Sequence, residues 1–293
     1  VPKRIVSKHT NDHVFFADGD RRLLFLRQTM TSPREVFSVA VDGSDLRKVA
    51  TLNDGQLGKL AFGEVQQFKF TGANKDTVYG YLMTPPNFDP KKKYPMVTII
   101  HGGPQGSSMD DFHLRWNTAM FASPGFVVSV IDFHGSTGYG QAFTDSISKD
   151  WGGKPYEDIM RGLDYLVETY PYIDKDNISA AGASYGGFMI NWIMGQTNRF
   201  RSLVSHCGIY NQHSMYGGTE ELWFPEWEMG GTPWANKEAY DKFNPANYAT
   251  KFKTPTLVVH GEHDYRIPYT QALELFTALQ RQGVESKLLF FPD

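Results

Sequence analysis

The chain has 293 residues, a net charge of −3 and 41% hydrophobic content, enough for one large core or a core with a smaller companion. Near-balanced charge argues against nucleic acid as a partner, since the compact basic run Lys91-Lys92-Lys93 lies between Pro90 and Pro95, where a solvated loop accounts for it. The single cysteine, Cys207, excludes an internal disulfide and leaves the compartment open, and no apolar run approaches the roughly 18 residues a membrane-spanning helix needs.

In chain order, the opening stretch from Val1 to Thr10 has neither an initiator methionine nor the apolar core of a signal peptide, which fits a processed, trimmed or excerpted sequence. Four short strands are predicted next, over His13 to Ala17, Arg22 to Gln28, Glu35 to Val41 and Leu46 to Leu52. They are punctuated by Asp18-Gly19-Asp20, Ser32-Pro33 and Asp42-Gly43-Ser44-Asp45. Four antiparallel strands in about forty residues is the size of one β-propeller blade. A lone blade cannot bury both faces, so sister blades are expected to be missing, with an irregular β-rich extension as the alternative.

From about Gly63 strands alternate with helices, the pattern of a mostly parallel sheet covered on both faces. Buried strands are predicted at Met96 to Ile100, Phe126 to Ile131, Ile178 to Ala181, Leu203 to Ser205, Thr256 to Val259 and Lys287 to Phe291. Helices are predicted at Tyr156 to Tyr170, Tyr185 to Met194 and Thr270 to Gln282. The order is that of an α/β-hydrolase fold.

Gly182-Ala183-Ser184-Tyr185-Gly186 is a GxSxG motif set between a predicted strand and a predicted helix. A serine nucleophile there needs a turn so tight that the residues two away on either side must lack side chains, which Gly182 and Gly186 satisfy. A plain helix N-cap serine, the competing reading, needs no flanking glycines. After the strand Met96 to Ile100, His101-Gly102-Gly103-Pro104 can turn sharply, and the N–H groups of Gly102 and Tyr185 are the candidate oxyanion donors. The acid of a triad belongs after a later strand, and Asp264 is the candidate, with Glu262 as runner-up. His260 and His263 lack the helical spacing of a zinc pair, so no metal is expected. A general-base histidine should follow Asp264, yet none does, and the chain stops at Phe291-Pro292-Asp293, where its loop should begin. His134 precedes the serine and reads as a residue supporting its loop.

Together several segments resemble the prolyl oligopeptidase family of serine peptidases, in particular its acylaminoacyl-peptidase and dipeptidyl-peptidase five branch. They are Lys93-Tyr94-Pro95 leading to His101-Gly102-Gly103-Pro104, Gly135-Ser136-Thr137-Gly138-Tyr139-Gly140, Asp150-Trp151-Gly152-Gly153, Gly182 to Gly187, and Gly261-Glu262-His263-Asp264-Tyr265-Arg266. The resemblance implies residues 1–62 as the last blade of a truncated β-propeller and residues 63–293 as an α/β-hydrolase peptidase domain that stops before its catalytic histidine. It also implies that the aromatic stretch from Tyr210 to Tyr240 lines a substrate pocket, with Tyr216, Trp223, Arg266 and Ile267 as candidate substrate-binding residues. His101 departs from branches that carry a tyrosine oxyanion donor, which assigns that task to backbone N–H groups. Glu220 and Glu221 read as a solvated pair.

The implied activity is hydrolysis of short peptides near their N-terminus, by dipeptidyl or acylaminoacyl release, through an acyl-enzyme on Ser184. A carboxylesterase of the same fold and an inactive interaction module are the alternatives. No cofactor is required, short peptides are the expected partners, and a homo-oligomer stays open.

Overall fold

The computed structural model describes residues 2–108 and 110–292; Val1, Met109 and Asp293, the residue beyond which a histidine is expected, lie outside the described residues. The chain divides into two compact units, one of Val1–Gln66, Met83–Asp89 and Ser108–Val128, the other of Gln67–Leu82, Pro90–Ser107 and Ser129–Asp293.

The first strands are β1 (Thr10–Ala17), β2 (Arg22–Thr29), β3 (Ser32–Ala40) and β4 (Arg47–Lys48). They form an antiparallel sheet in the order β1-β2-β3-β4. Asp18, Gly19 and Asp20 all take positive φ at the β1–β2 turn, a conformation short polar residues and glycine tolerate. Phe25 and Val39 are buried, and the Arg27 guanidinium lies 5.5 Å from the Phe25 ring and 5.0 Å from that of Phe37.

Two expectations need correction here. Ser32-Pro33 belongs to β3 rather than to a turn, because the chain reverses at Met30-Thr31 and Thr29 pairs with Ser32. Pro33 falls where the β2–β3 register shifts and β4 does not reach, so its missing N–H breaks no ladder bond. The strand predicted over Leu46 to Leu52 shrinks to two residues: Leu46, Val49 and Leu52 recur at every third position rather than along one strand face, and all three are exposed.

The second sheet comprises β5 (Val65–Thr71), β6 (Thr77–Met83), β7 (Tyr94–Ile100), β8 (Val127–Asp132), β9 (Ile173–Ala183), β10 (Ser202–His206), β11 (Thr256–Gly261) and β12 (Ser286–Phe291). Its order is β12-β11-β10-β9-β7-β8-β6-β5, and the neighbours from β12 to β7 pair in parallel. Every residue of β8 is buried, and β7 is buried from Met96 onward, as expected for strands covered on both faces. β5 and β6 were not foreseen; β5 buries only Phe68 and Phe70, alternating with exposed polar residues. The three long helices run Lys154–Thr169, Tyr185–Gln196 and Thr270–Arg281, close to their predicted bounds. The first has Pro155 near its start and buries Ile159, Leu163 and Leu166 along one face.

β7 sits between β8 and β9, so the connection leaving β7 runs toward β8 while the one leaving β9 runs the opposite way toward β10, which opens a crevice at the carboxyl ends of β7 and β9. Ile100 pairs with Gly182, which sets the two loops that follow these strands side by side.

Candidate active site

Ser184 stands where β9 ends and the helix Tyr185–Gln196 begins, with φ 59° and ψ −121°. For a residue with a Cβ this conformation is strained, and the close packing of the turn enforces it. A Cβ on Gly182 would lie 2.5 Å from the Gly186 backbone, and one on Gly186 would lie 2.1 Å from the Ile100 carbonyl oxygen. Only glycine fits at either place. The Ser184 hydroxyl makes no capping bond to its helix, so the geometry is not that of a helix N-cap. Helix Tyr185–Gln196 is buried along almost its whole length, and its N-terminal N–H groups and partial positive charge lie beside the serine.

Across the crevice, a Cβ on Gly102 would come 3.4 Å from that of Ser184, so the loop after β7 touches the elbow. Gly103, with φ 129°, lines the cavity beside Ser184, whereas Gly102 does not. His101 Nδ1–H donates to the Gly102 carbonyl at 2.8 Å, and its Nε2 pairs with the Ser136 hydroxyl at 2.9 Å. Burial pushes the His101 pKa down, although the Asp132 carboxylate pulls the other way. The Tyr185 ring is buried and its hydroxyl donates to the Trp151 carbonyl at 2.6 Å. Burial raises the pKa of that phenol well above its ordinary value, so it stays protonated.

Beyond β11, Asp264 Oδ1 accepts the backbone N–H groups of Arg266 at 3.1 Å and Ile267 at 2.9 Å, which fixes the loop. His260 is buried behind it, with Nε2–H donating to the Ile267 carbonyl at 2.7 Å and lying 3.7 Å from Asp264 Oδ2. Burial lowers the His260 pKa against the pull of that carbonyl bond and of Asp264. Glu262 and His263 are exposed. Among the described residues, no group of three or more His, Cys, Asp or Glu is placed to hold a metal ion, and no helix is long and apolar enough to cross a membrane. His134 is engaged elsewhere: Nδ1 meets Asp158 Oδ2 at 2.6 Å and Nε2 meets Asp76 Oδ2 at 3.2 Å, both bonds that tie its loop down.

A cavity of about 330 Å³ collects Ser184, Tyr185, Trp223, Arg266 and Ile267. It also takes in Gly103, Trp151, Ile209, Met215, Phe224 and Pro225, which make most of its wall apolar or aromatic. Tyr216 is not part of it. Gln212, Met215 and Thr219 form the cavity-facing stripe of their helix and its end, and Tyr216 is turned about 100° from Met215. Its hydroxyl donates to Glu226 at 2.8 Å, and its ring packs edge-on against Trp234 and Tyr240. Trp227 and Trp234, also expected in the pocket, are exposed and outside its lining. Arg266 is held by Glu220 at 3.2 Å and Glu221 at 3.1 Å, and Glu221 lines the cavity, so this pair is more than a solvated face. Ile209 and Met215 were missed because nothing local marks them: one follows a strand, the other lies inside a short helix.

A serine on a strained strand-to-helix turn, beside a glycine loop and an acid-bearing loop at the carboxyl edge of a largely parallel sheet, is the arrangement of the α/β-hydrolases. The prolyl oligopeptidase family profile matches residues 112–293, and the chain belongs to that family. It is similar to dipeptidyl-peptidase 5 of Schizosaccharomyces pombe, 44% identical over 251 residues that cover 84% of this chain and 37% of that protein. Dipeptidyl-peptidase 5 of Aspergillus fumigatus is 40% identical over 280 residues, 94% of this chain and 39% of that one. The chain thus spans about two fifths of the length of these curated relatives. Among solved structures, the acylaminoacyl peptidase of Pyrococcus horikoshii superposes with a TM-score of 0.88 at 28% identity, covering 98% of this chain and 46% of its own. An acylaminoacyl peptidase in complex with Z-Gly-Gly-Phe-chloromethyl ketone gives 0.89 at 27% identity, covering 98% and 45%.

Proposed function

We propose that this chain carries the catalytic machinery of a serine peptidase that releases dipeptides or acylated amino acids from the N-termini of short peptides. The observation that carries this reading is Ser184 at φ 59° on an elbow that admits only glycine at positions 182 and 186, opening into an apolar cavity. Ser184 Oγ attacks the scissile carbonyl, the N–H of Tyr185 with that of Gly102 or Gly103 stabilises the oxyanion, and the amine departs to leave an acyl-enzyme that water hydrolyses. Asp264 is the acid: its Oδ1 is occupied by the loop backbone, which leaves Oδ2 to orient a histidine that we place after Asp293.

Trp223, Phe224 and Ile267 favour an apolar side chain next to the scissile bond, in keeping with the related peptidase solved with Z-Gly-Gly-Phe-chloromethyl ketone. Arg266, steadied by two carboxylates at the cavity mouth, is placed to hold a substrate carbonyl. Residues 1–62 are read as the last blade of a β-propeller. Val14, Phe15 and Phe16 are 58%, 65% and 69% exposed in succession, so β1 presents apolar side chains on both faces, as a strand does when a neighbouring blade is to cover it. Such a propeller would restrict entry to short peptides.

The test is turnover by the enzyme extended through its natural C-terminus, with dipeptidyl and acylaminoacyl amides set against simple esters. Amide hydrolysis with an apolar residue at the scissile bond supports the peptidase; turnover of esters alone replaces it with a carboxylesterase.

A further inference from the structure

We propose that Glu228 is a positioning residue that holds both halves of the oxyanion site together, an inference that rests on Ser184 being the nucleophile. Glu228 lies in the helix Trp223–Met229 and is 1% exposed. Its Oε1 accepts the side-chain N–H of Gln105 at 2.8 Å, and its Oε2 accepts the indole N–H of Trp151 at 2.8 Å. Gln105 is two residues beyond Gly103, in the loop whose backbone faces Ser184. The carbonyl of Trp151 receives the Tyr185 hydroxyl at 2.6 Å, and the two rings pack edge-to-face at 5.3 Å. One carboxylate therefore reaches the glycine loop through Gln105 and the residue after the nucleophile through Trp151.

Its own helix supplies Trp223, Phe224 and Pro225 to the cavity wall, so the pocket is tied to the same point. A buried carboxylate bonded by neutral donors is a poor way to gain stability, because desolvating the charge opposes it. What it does provide is geometry: two acceptor oxygens at a fixed separation set the glycine loop and Trp151 relative to one another. Oxyanion donors must sit within a few tenths of an ångström of their place, and a displacement of about 1 Å can reduce turnover about 100-fold.

The experiment compares the extended enzyme with Glu228→Ala, Gln105→Ala and Glu228→Gln. Glu228→Ala removes both bonds, and Gln105→Ala, at an exposed position, removes only the one to the glycine loop. Glu228→Gln keeps both, since its amide oxygen accepts from Trp151 and its NH₂ donates to the Gln105 amide oxygen once that amide turns over. Two rates are read: phosphonylation of Ser184 by a fluorophosphonate, and kcat and KM for a dipeptidyl amide. Glu228→Ala is expected to slow both reactions about 10- to 100-fold, with most of the loss in kcat, Gln105→Ala to slow them less at an unchanged melting temperature, and Glu228→Gln to stay within about threefold of the parent. Parent rates in Gln105→Ala overturn the proposal, as does a loss in Glu228→Gln as large as that in Glu228→Ala. Ser184 unreactive in the parent itself would overturn the nucleophile reading and this inference with it; Ser184 reactive in the parent and equally so in Glu228→Ala and Gln105→Ala would overturn this inference alone.

Discussion

The nucleophile elbow and the aromatic wall face the same cavity and are built on different principles. At the elbow, backbone meets backbone: Gly182 against Gly186, Gly186 against Ile100, and Gly187 against His206 and Gly208. On the wall, seven-residue helices Gln212–Gly218 and Trp223–Met229 are held by side chains, through Tyr216 to Glu226, Thr219 to the Arg266 carbonyl, and Glu228 to Gln105 and Trp151. Placing the nucleophile demands a fixed backbone, whereas shaping a pocket for a side chain allows variation residue by residue.

The largest expected effect breaks the elbow's chemistry without its geometry. Ser184→Ala in the extended enzyme should lower kcat about 10⁴- to 10⁶-fold while far-ultraviolet circular dichroism and the melting temperature stay unchanged. Next comes the geometry itself. Gly186→Ala should destabilise by about 4 kcal/mol or more in denaturant titration, because the added methyl would meet the Ile100 carbonyl oxygen at 2.1 Å. On the wall, Gly217→Ala should instead be neutral or stabilise by up to about 1 kcal/mol, since nothing lies within 4 Å of the new Cβ. Equal effects at the two glycines would remove the distinction between the regions.

Pocket substitutions should act on selectivity. Phe224→Ala is expected to reduce kcat/KM about 10-fold for substrates with an aromatic residue at the scissile bond, and less for alanine there; a uniform loss would place Phe224 outside the substrate's reach.

The smallest effect concerns His134. Burial alone would lower its pKa, but the hydrogen bonds and charges of Asp158 and Asp76 outweigh that and raise it. A raised folded value means the stabilisation is fully present below the unfolded value of about 6.5 and is lost as pH rises through the folded one. The stability gap between the parent and His134→Gln should therefore be widest near pH 6 and narrow on the alkaline side; a gap that widens with pH would contradict this.

The elbow was legible in the sequence because its requirements are local. Gly182 and Gly186 sit at fixed offsets from Ser184, and the strand and helix on either side carry their own apolar patterns. The β7 loop and the Asp264 loop were legible for the same reason. Tyr216 was misplaced because Met215 and Tyr216 are adjacent, both apolar enough for a pocket, and about 100° apart around the helix, so only the packed structure decides which of them meets the cavity. Glu228 was invisible: nothing in the sequence separates it from Glu226, two residues earlier, until Gln105 and Trp151, 123 and 77 residues away, close on it. In the antiparallel sheet, β4 was overestimated: Leu46, Val49 and Leu52 are apolar but three residues apart, so they do not line one strand face, and all three are exposed.

The most direct test of the central claim is to treat this chain, and the same chain extended through its natural C-terminus, with a fluorophosphonate probe and to map the labelled peptide by mass spectrometry. Rapid labelling at Ser184 in the extended form alone is the predicted result, with the general base lying after Asp293. No labelling at Ser184 in either form would contradict the account and leave a binding role for the fold.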